Sequence, residues 1–177
     1  MTEAKPFEKR KLIIGVMAGK PEFFLSAEKE VQRLFGPIDL KSEVFEFTYS
    51  DYYSKQMGGA SLSRKFLSFE KLINPEKLSE IKINTNQLEE KIRKKFHRDH
   101  RIVNLDPGIV NSSSLIMATV KDFAHRIPLS QGIYGHLELL FGKDEIRTIN
   151  WTYPDFREKT YHSFFLKVRK KYLKQIK

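Results

Sequence analysis

Residues 11–19, Lys-Leu-Ile-Ile-Gly-Val-Met-Ala-Gly, form an almost unbroken apolar run with β-branched members, flanked by charge on its N-terminal side. A run of this length is too short to span a membrane or to serve as the apolar region of a secretory signal, and it reads as a buried strand. A buried strand cannot stand alone, because its backbone donors and acceptors need partners. The rest of the chain must therefore supply further strands and the helices that cover them.

The periodicity supplies both. Ser26 is placed to cap a helix with Ala27, Val31, Leu34 and Phe35 at helical spacing, ended by Gly36-Pro37. Residues 38–53 alternate, with Phe45, Phe47 and Tyr49 opposite Val44, Glu46 and Thr48, which predicts a strand. Gly58-Gly59 marks a loop, residues 64–73 alternate again, and Asn74-Pro75 breaks the pattern. Asn84 with Gln87 predicts the start of a helix whose Leu88, Ile92 and Phe96 share a face. Residues 101–108 predict a short strand ended by a Pro107-Gly108 turn. Residues 114–129 and 132–141 predict two strands joined in a hairpin at Ser130-Gln131-Gly132. A last helix carries Tyr161, Phe164, Phe165, Val168 and Tyr172 on one stripe, which is core packing. The order predicts an α+β fold: a ferredoxin-like split βαβ core (β-α-β-β-α-β), an added antiparallel β-hairpin, and the C-terminal helix packed on the sheet. Residues 1–177 are expected to form a single globular domain, with residues 1–10 a flexible N-terminus.

Composition narrows the function classes. Hydrophobic residues make up 40% of the chain and aromatics 12%, enough for a real core. Cysteine is absent, which removes disulfides, thiolate catalysis and cysteine-ligated zinc and fits a cytoplasmic protein. The formal charge is +10. It concentrates in Lys91–Arg101, with six Lys/Arg against one Asp, and in Arg157–Lys177, with eight against one Glu. Both runs fall on expected helices, where they read either as solvated faces or as a footprint for a phosphate backbone.

Gly15–Pro21, Gly-Val-Met-Ala-Gly-Lys-Pro, echoes a phosphate loop at a strand-to-helix turn. It has three residues between its glycines instead of four, and Pro where the hydroxyl residue belongs. It therefore reads as an ordinary turn. His97 and His100 are close enough to share a helix face, but their basic neighbours disfavour a metal there.

The chemistry gathers in residues 101–138. Asp106 stands beside the expected Pro-Gly turn, with Asn104 two residues earlier on the same strand face. Along residues 120–127, Lys121, Phe123 and His125 are expected to alternate with Asp122, Ala124 and Arg126. A hairpin centred on Ser130-Gln131 sets His125 opposite or next to His136, with Glu138 in diagonal reach. Lys, Arg and His can hold a phosphate, and His beside Asp can do acid–base work. In Asp51–Tyr53 and Trp151–Asp155, Tyr52, Tyr53, Trp151 and Tyr153 offer rings to a base, with Arg64-Lys65 for its phosphates. Trp151 and Tyr153 equally suit anchoring of the last helix, with Asp155 capping it.

Residues 47–58, 64–89, 101–108, 121–127, 132–139 and 151–156 occur in an order that resembles the domain-of-unknown-function family 4416 of bacteria and archaea. The resemblance covers nearly the whole chain. It implies no established activity; some members carry a GTP-binding label, which the Gly15–Pro21 turn does not support.

The leading expectation is a cytoplasmic protein that binds a phosphate-bearing small molecule or nucleotide. Asn104, Lys121, Arg126, Tyr134, Glu138, Arg64, Lys65 and Tyr52 would be its ligand residues. A nucleic-acid-binding module using the two basic helices is the alternative from a different class. A phosphoesterase with His125 as general acid or base, helped by Asp106 or Asp122, is the third. The sequence names no cofactor, no metal and no membrane partner, and leaves the oligomeric state open.

Overall fold

The computed structural model describes residues 3–59 and 61–177. Strand β1 (Arg10–Ala18) is the apolar run, and it sits inside an antiparallel sheet between β4 (Leu62–Ile73) and β5 (Val103–Val110). Its alternation feeds two cores. Leu12, Ile14 and Val16 pack under α1 (Pro21–Phe35) and α3 (Leu78–Lys95) on one face. Ile13 faces the other side, where α4 (Lys159–Gln175) lies with Phe164, Phe165 and Val168 buried against Phe66, Val110 and Leu139. The mixed α+β class is as the periodicity predicts, and so is the stripe on α4.

The sheet is larger than expected. β2 (Ile38–Lys41), β3 (Phe45–Phe47), β6 (Ser114–Thr119), β7 (Ile127–Ser130), β8 (Ile133–Phe141) and β9 (Ile146–Thr148) complete nine strands among the described residues. Their order is β2-β4-β1-β5-β6-β8-β7, with β3 also on β4 and β9 also on β8. This order differs from the ferredoxin-like arrangement expected from the sequence, because the chain keeps adding strands beyond β5. The expected long hairpin also splits. β6 pairs with one edge of β8 and β7 with the other, so residues 120–126 leave the sheet as a loop to cross over. The turn between β7 and β8 is tight, with Gln131 and Gly132 both at positive φ (55° and 73°), which matches the twist of a two-residue hairpin.

Five further boundaries depart from the sequence reading. Residues 48–53 do not continue a strand. Ser50 accepts a hydrogen bond from the Tyr52 amide at 3.2 Å and starts the short helix α2 (Asp51–Gln56). Helix α1 starts at Pro21, a residue suited to the first helical position, so Ser26 lies inside it and accepts from Lys95 Nζ at 3.1 Å. Asn74-Pro75 starts a helix: Asn74 caps a single 3₁₀ turn that runs into α3, leaving Asn84 and Gln87 mid-helix. Helix α3 then stops at Lys95, so His97 and His100 share no helix face. Finally, β5 runs straight through Asp106-Pro107-Gly108. β6 pairs with β5 only from Gly108 onward, and a proline is tolerated where that neighbour is missing. Gly108 is where β6 comes closest: a Cβ there would meet Met117 Sδ and lie 2.8 Å from the Ile116 carbonyl oxygen.

β5 and β6 therefore diverge from Gly108 toward Asn104 and Thr119. Helix α4 covers only part of its face of the sheet. Over the rest, where Gly15, Arg64, Asp106, Met117 and His136 point, the cover is α2 with its flanking chain and the turn at residues 151–156. A cavity remains between them.

Candidate functional site

Alternation along the strands aims three sets of polar side chains at this cavity. β4 presents Arg64, β5 presents Asp106 with Asn104 beside it in the adjoining hollow, and β8 presents His136 with Glu138 behind it. Arg64 is 5% exposed and its guanidinium donates to the Asp155 carboxylate. Its Nη2 lies 3.7 Å from Asp106 Oδ2, and its plane sits over Phe47 and Phe156, 4.9 and 5.6 Å from their centroids. Lys82 reaches in from α3 around the uncovered edge of β5. Its Nζ donates to the Leu105 carbonyl oxygen at 2.9 Å and lies 3.4 Å from Asp106 Oδ1. Asn104 donates to Asp106 through its amide nitrogen and accepts from Arg101 through its oxygen. Arg101 also pairs with Glu89 at 2.6 Å, and Glu89 accepts the Leu105 amide at 2.6 Å. Burial pushes the Asp106 carboxyl up, but Lys82, Arg64 and Arg101 together outweigh it and hold the group below its ordinary value. Asp106 is thus an ionised acceptor that keeps 26% of its side-chain surface open to the cavity.

The second arrangement centres on His136, 1% exposed. Its Nε2 lies 2.9 Å from Glu138 Oε2, off the hydrogen-bond axis. Glu138 Oε1 accepts the Tyr153 amide at 2.7 Å, and burial raises the Glu138 carboxyl against the opposing pull of His136. On the other side, His136 Nδ1 stands 3.1 Å from His125 Nε2 and 3.2 Å from Arg126 Nε. An arginine Nε only donates, so Nδ1 is the acceptor and His136 carries its proton on Nε2. Tyr153 stacks on His136 at 4.9 Å and 12°, and Trp151 stacks on His125 at 5.0 Å and 15°. Arg126 further donates to the Lys121 carbonyl oxygen (2.8 Å) and the Tyr153 hydroxyl (2.6 Å). These contacts pin the loop 120–126 as a strap across the mouth, where Lys121 Nζ overhangs the ring of Tyr52 at 4.3 Å.

The cavity beneath the strap measures about 390 Å³ and is lined by Phe47, Tyr49, Tyr52, Tyr53 and Tyr153 around Arg64, Asp106 and His136. A second hollow of about 360 Å³ shares Tyr52, Tyr53, Asp106, Thr119 and Lys121 with it and adds Lys82, Asn86, Arg101 and Asn104. Among the described residues no group of three His, Asp or Glu side chains is arranged to hold a metal ion. Among the described residues no helix is long and apolar enough to cross a membrane.

The sequence pattern of the family described as Domain of unknown function (DUF4416) matches residues 8–172. The chain belongs to that family. No match to this DUF4416 protein is found among curated proteins or among solved structures.

The residues singled out from sequence distribute unevenly in this DUF4416 protein. Arg64, Asp106, Lys121 and Tyr52 line the main cavity, and Asn104 lines the adjoining one. His125, Arg126 and Glu138 surround His136 and do not line either hollow. The expected nearness of His125 and His136 is present, but the strap creates it and not cross-strand register. Strand alternation of Lys121 through Arg126 is absent, since these residues are loop. Tyr134 lines neither hollow. Lys65 points to the opposite sheet face, where it pairs with Glu28 at 2.6 Å. Asp122 is exposed on the strap and, among the described residues, has no hydrogen bond or ion pair. His125 contacts His136, Trp151 and Phe123 and neither Asp106 nor Asp122, so the expected His–Asp couple is not formed. Trp151 and Tyr153 clamp the two histidines and do not anchor α4. Asp155 is the buried partner of Arg64, and the residue preceding α4 is Glu158.

Of the other lining residues, Tyr53 is a ring candidate in the sequence beside Tyr52 and Arg101 counts there only as the end of a basic run, while Lys82 goes unnoticed. Lys82 comes from a helix on the far face, and no local pattern announces that. The basic runs are partly neutralised: Lys91 pairs with Glu30 (2.7 Å), Arg93 and Lys94 with Glu90 (2.7 and 3.6 Å), and Arg169 donates to the Ser112 and Lys143 carbonyl oxygens.

Proposed function

We propose that the protein binds a small phosphate-bearing molecule with a planar ring, of the nucleotide type, in the cavity under the strap. One observation carries the reading: a hollow of about 390 Å³ walled by tyrosines holds an ionised carboxylate at its centre and a lysine ammonium at its mouth. Cavities of roughly 300–1,000 Å³ with aromatic walls and few polar groups are the usual form of small-molecule sites. Tyrosine faces stack a base, Asp106 accepts from ring or sugar donors, and Lys121 meets an anion. No phosphate loop enters the reading: Gly15 lies mid-strand against Phe66 in the cavity wall, and Pro21 starts α1.

Calorimetric titration with 5′-nucleotides tests this. Saturable binding is expected in the wild type. Thr119→Trp, which fills the mouth shared by the two hollows, should weaken it at least about tenfold, a loss of about 1.4 kcal/mol, with little change in melting temperature. Absence of saturable binding for every 5′-nucleotide would overturn the proposal.

A further inference from the structure

The two hollows and their charges specify the ligand more closely, on the assumption that the binding reading above holds. The cations around the joined cleft are matched one to one. Arg64 is held by Asp155, Lys82 by Asp106 and Arg101 by Glu89. Arg126, at the back of the strap, has its donors taken by His136, Lys121 and Tyr153. Lys121 is different. Its ammonium faces only the ring of Tyr52, and among the described residues no carboxylate pairs with it. It also stands where both hollows meet, beside Thr119 and Asp106.

An anion entering this cleft therefore finds one uncommitted cation. A single phosphate carries about −1.5 to −2 at neutral pH, which one ammonium and a few neutral donors can accommodate. Each further phosphate would add charge that no second uncommitted lining cation meets, in a hollow that Asp106 and Glu89 also line with charges already serving Lys82 and Arg101, and like charges brought together in a hollow repel strongly. The rest of the polar hollow offers neutral amides, from Gln56, Asn86 and Asn104. Those groups suit sugar hydroxyls, while the tyrosine-walled hollow suits the ring.

We propose that the cleft selects a nucleoside 5′-monophosphate, with the ring among the tyrosines, the sugar at Asp106 and Asn104, and the phosphate on Lys121. It discriminates against the free nucleoside by attraction and against di- and triphosphates by charge.

The experiment is a calorimetric series with the nucleoside and its 5′-mono-, di- and triphosphates for each of the common bases, at fixed salt, on the wild type, Lys121→Ala and Lys121→Arg. A charge-assisted hydrogen bond is worth about 1.5–3 kcal/mol, so the monophosphate should bind at least about tenfold tighter than its nucleoside. Di- and triphosphates should bind no tighter than the monophosphate. Lys121→Ala should collapse the ratio of monophosphate to nucleoside affinity to near one, and Lys121→Arg should restore it. A triphosphate that binds more than about tenfold tighter than the monophosphate overturns the selectivity while the binding reading stands. So does a ratio that survives Lys121→Ala. If no member of the series binds any variant, both readings fall.

Discussion

Replacing Asp155 by Ala isolates the energetics on which the cleft rests. The substitution leaves the Arg64 guanidinium buried, with Asp106 at 3.7 Å as its remaining carboxylate and two aromatic faces as its other contacts. Removing one member of a buried ion pair costs about 3–5 kcal/mol, because the other charge stays desolvated without its partner. The surviving carboxylate and rings place Asp155→Ala near the lower end, about 3 kcal/mol. Arg64→Met strands the Asp155 carboxylate in the same way and should cost a similar amount. The double variant removes both charges and leaves an apolar side chain of similar volume, a change that is often close to neutral. It should therefore be more stable than either single variant. Urea unfolding measures this directly. With a slope of about 2–3 kcal/mol/M, each single variant should lower the midpoint by about 1–1.5 M, and the double should recover most of that. A double variant as unstable as the two losses added together would refute the reasoning, since it would show that the two residues stabilise the fold independently.

Phe165→Ala should cost about 3–5 kcal/mol, because its ring lies among Phe66, Phe156 and Phe164 with none of its surface exposed; a melting temperature near that of the wild type would contradict the packing described. Gly108→Ala forces a Cβ to 2.8 Å from the Ile116 carbonyl oxygen and should cost about 1–3 kcal/mol. Adding Met117→Ala should relieve only part of that, because the carbonyl stays; full recovery would place the clash on the side chain alone. Burial first, then His136 and Arg126, lower the basicity of His125. A histidine whose folded value lies below its unfolded value of about 6.5 binds fewer protons when folded, so its contribution to stability grows as pH rises through that window and is lost as pH falls through it. Amide exchange of residues 120–126, corrected for intrinsic rates, should be faster at pH 5.5 than at pH 7.5, each value about one unit from that midpoint, and His125→Ala should remove the difference. An unchanged pH dependence in that variant would count against His125 holding the strap.

Those signals that depend on a residue's immediate neighbours were legible in the sequence. The apolar run of β1, the alternation of β4 and the stripe of α4 each follow from side-chain directions that repeat every two residues or every 3.6, so a few positions suffice to place the face. Absence of cysteine and the broken phosphate-loop spacing were equally plain. Even Lys65 could have been set aside, since it must face away from Arg64 on the same strand. Tertiary structure decided the rest. Pro107-Gly108 reads locally as a turn, yet β1 on one side and an uncovered edge on the other carry β5 straight through it. Residues 120–126 read locally as strand, yet they must cross from one edge of β8 to the other and become the strap. Arg64 finds Asp155 across 91 positions of chain, and Lys82 arrives around a strand edge from a helix on the far face of the sheet. The sequence displays which side chains carry charge. Pairing of those charges depends on strand order, because a buried charge is tolerated only where another element, remote in the chain, brings its partner within reach.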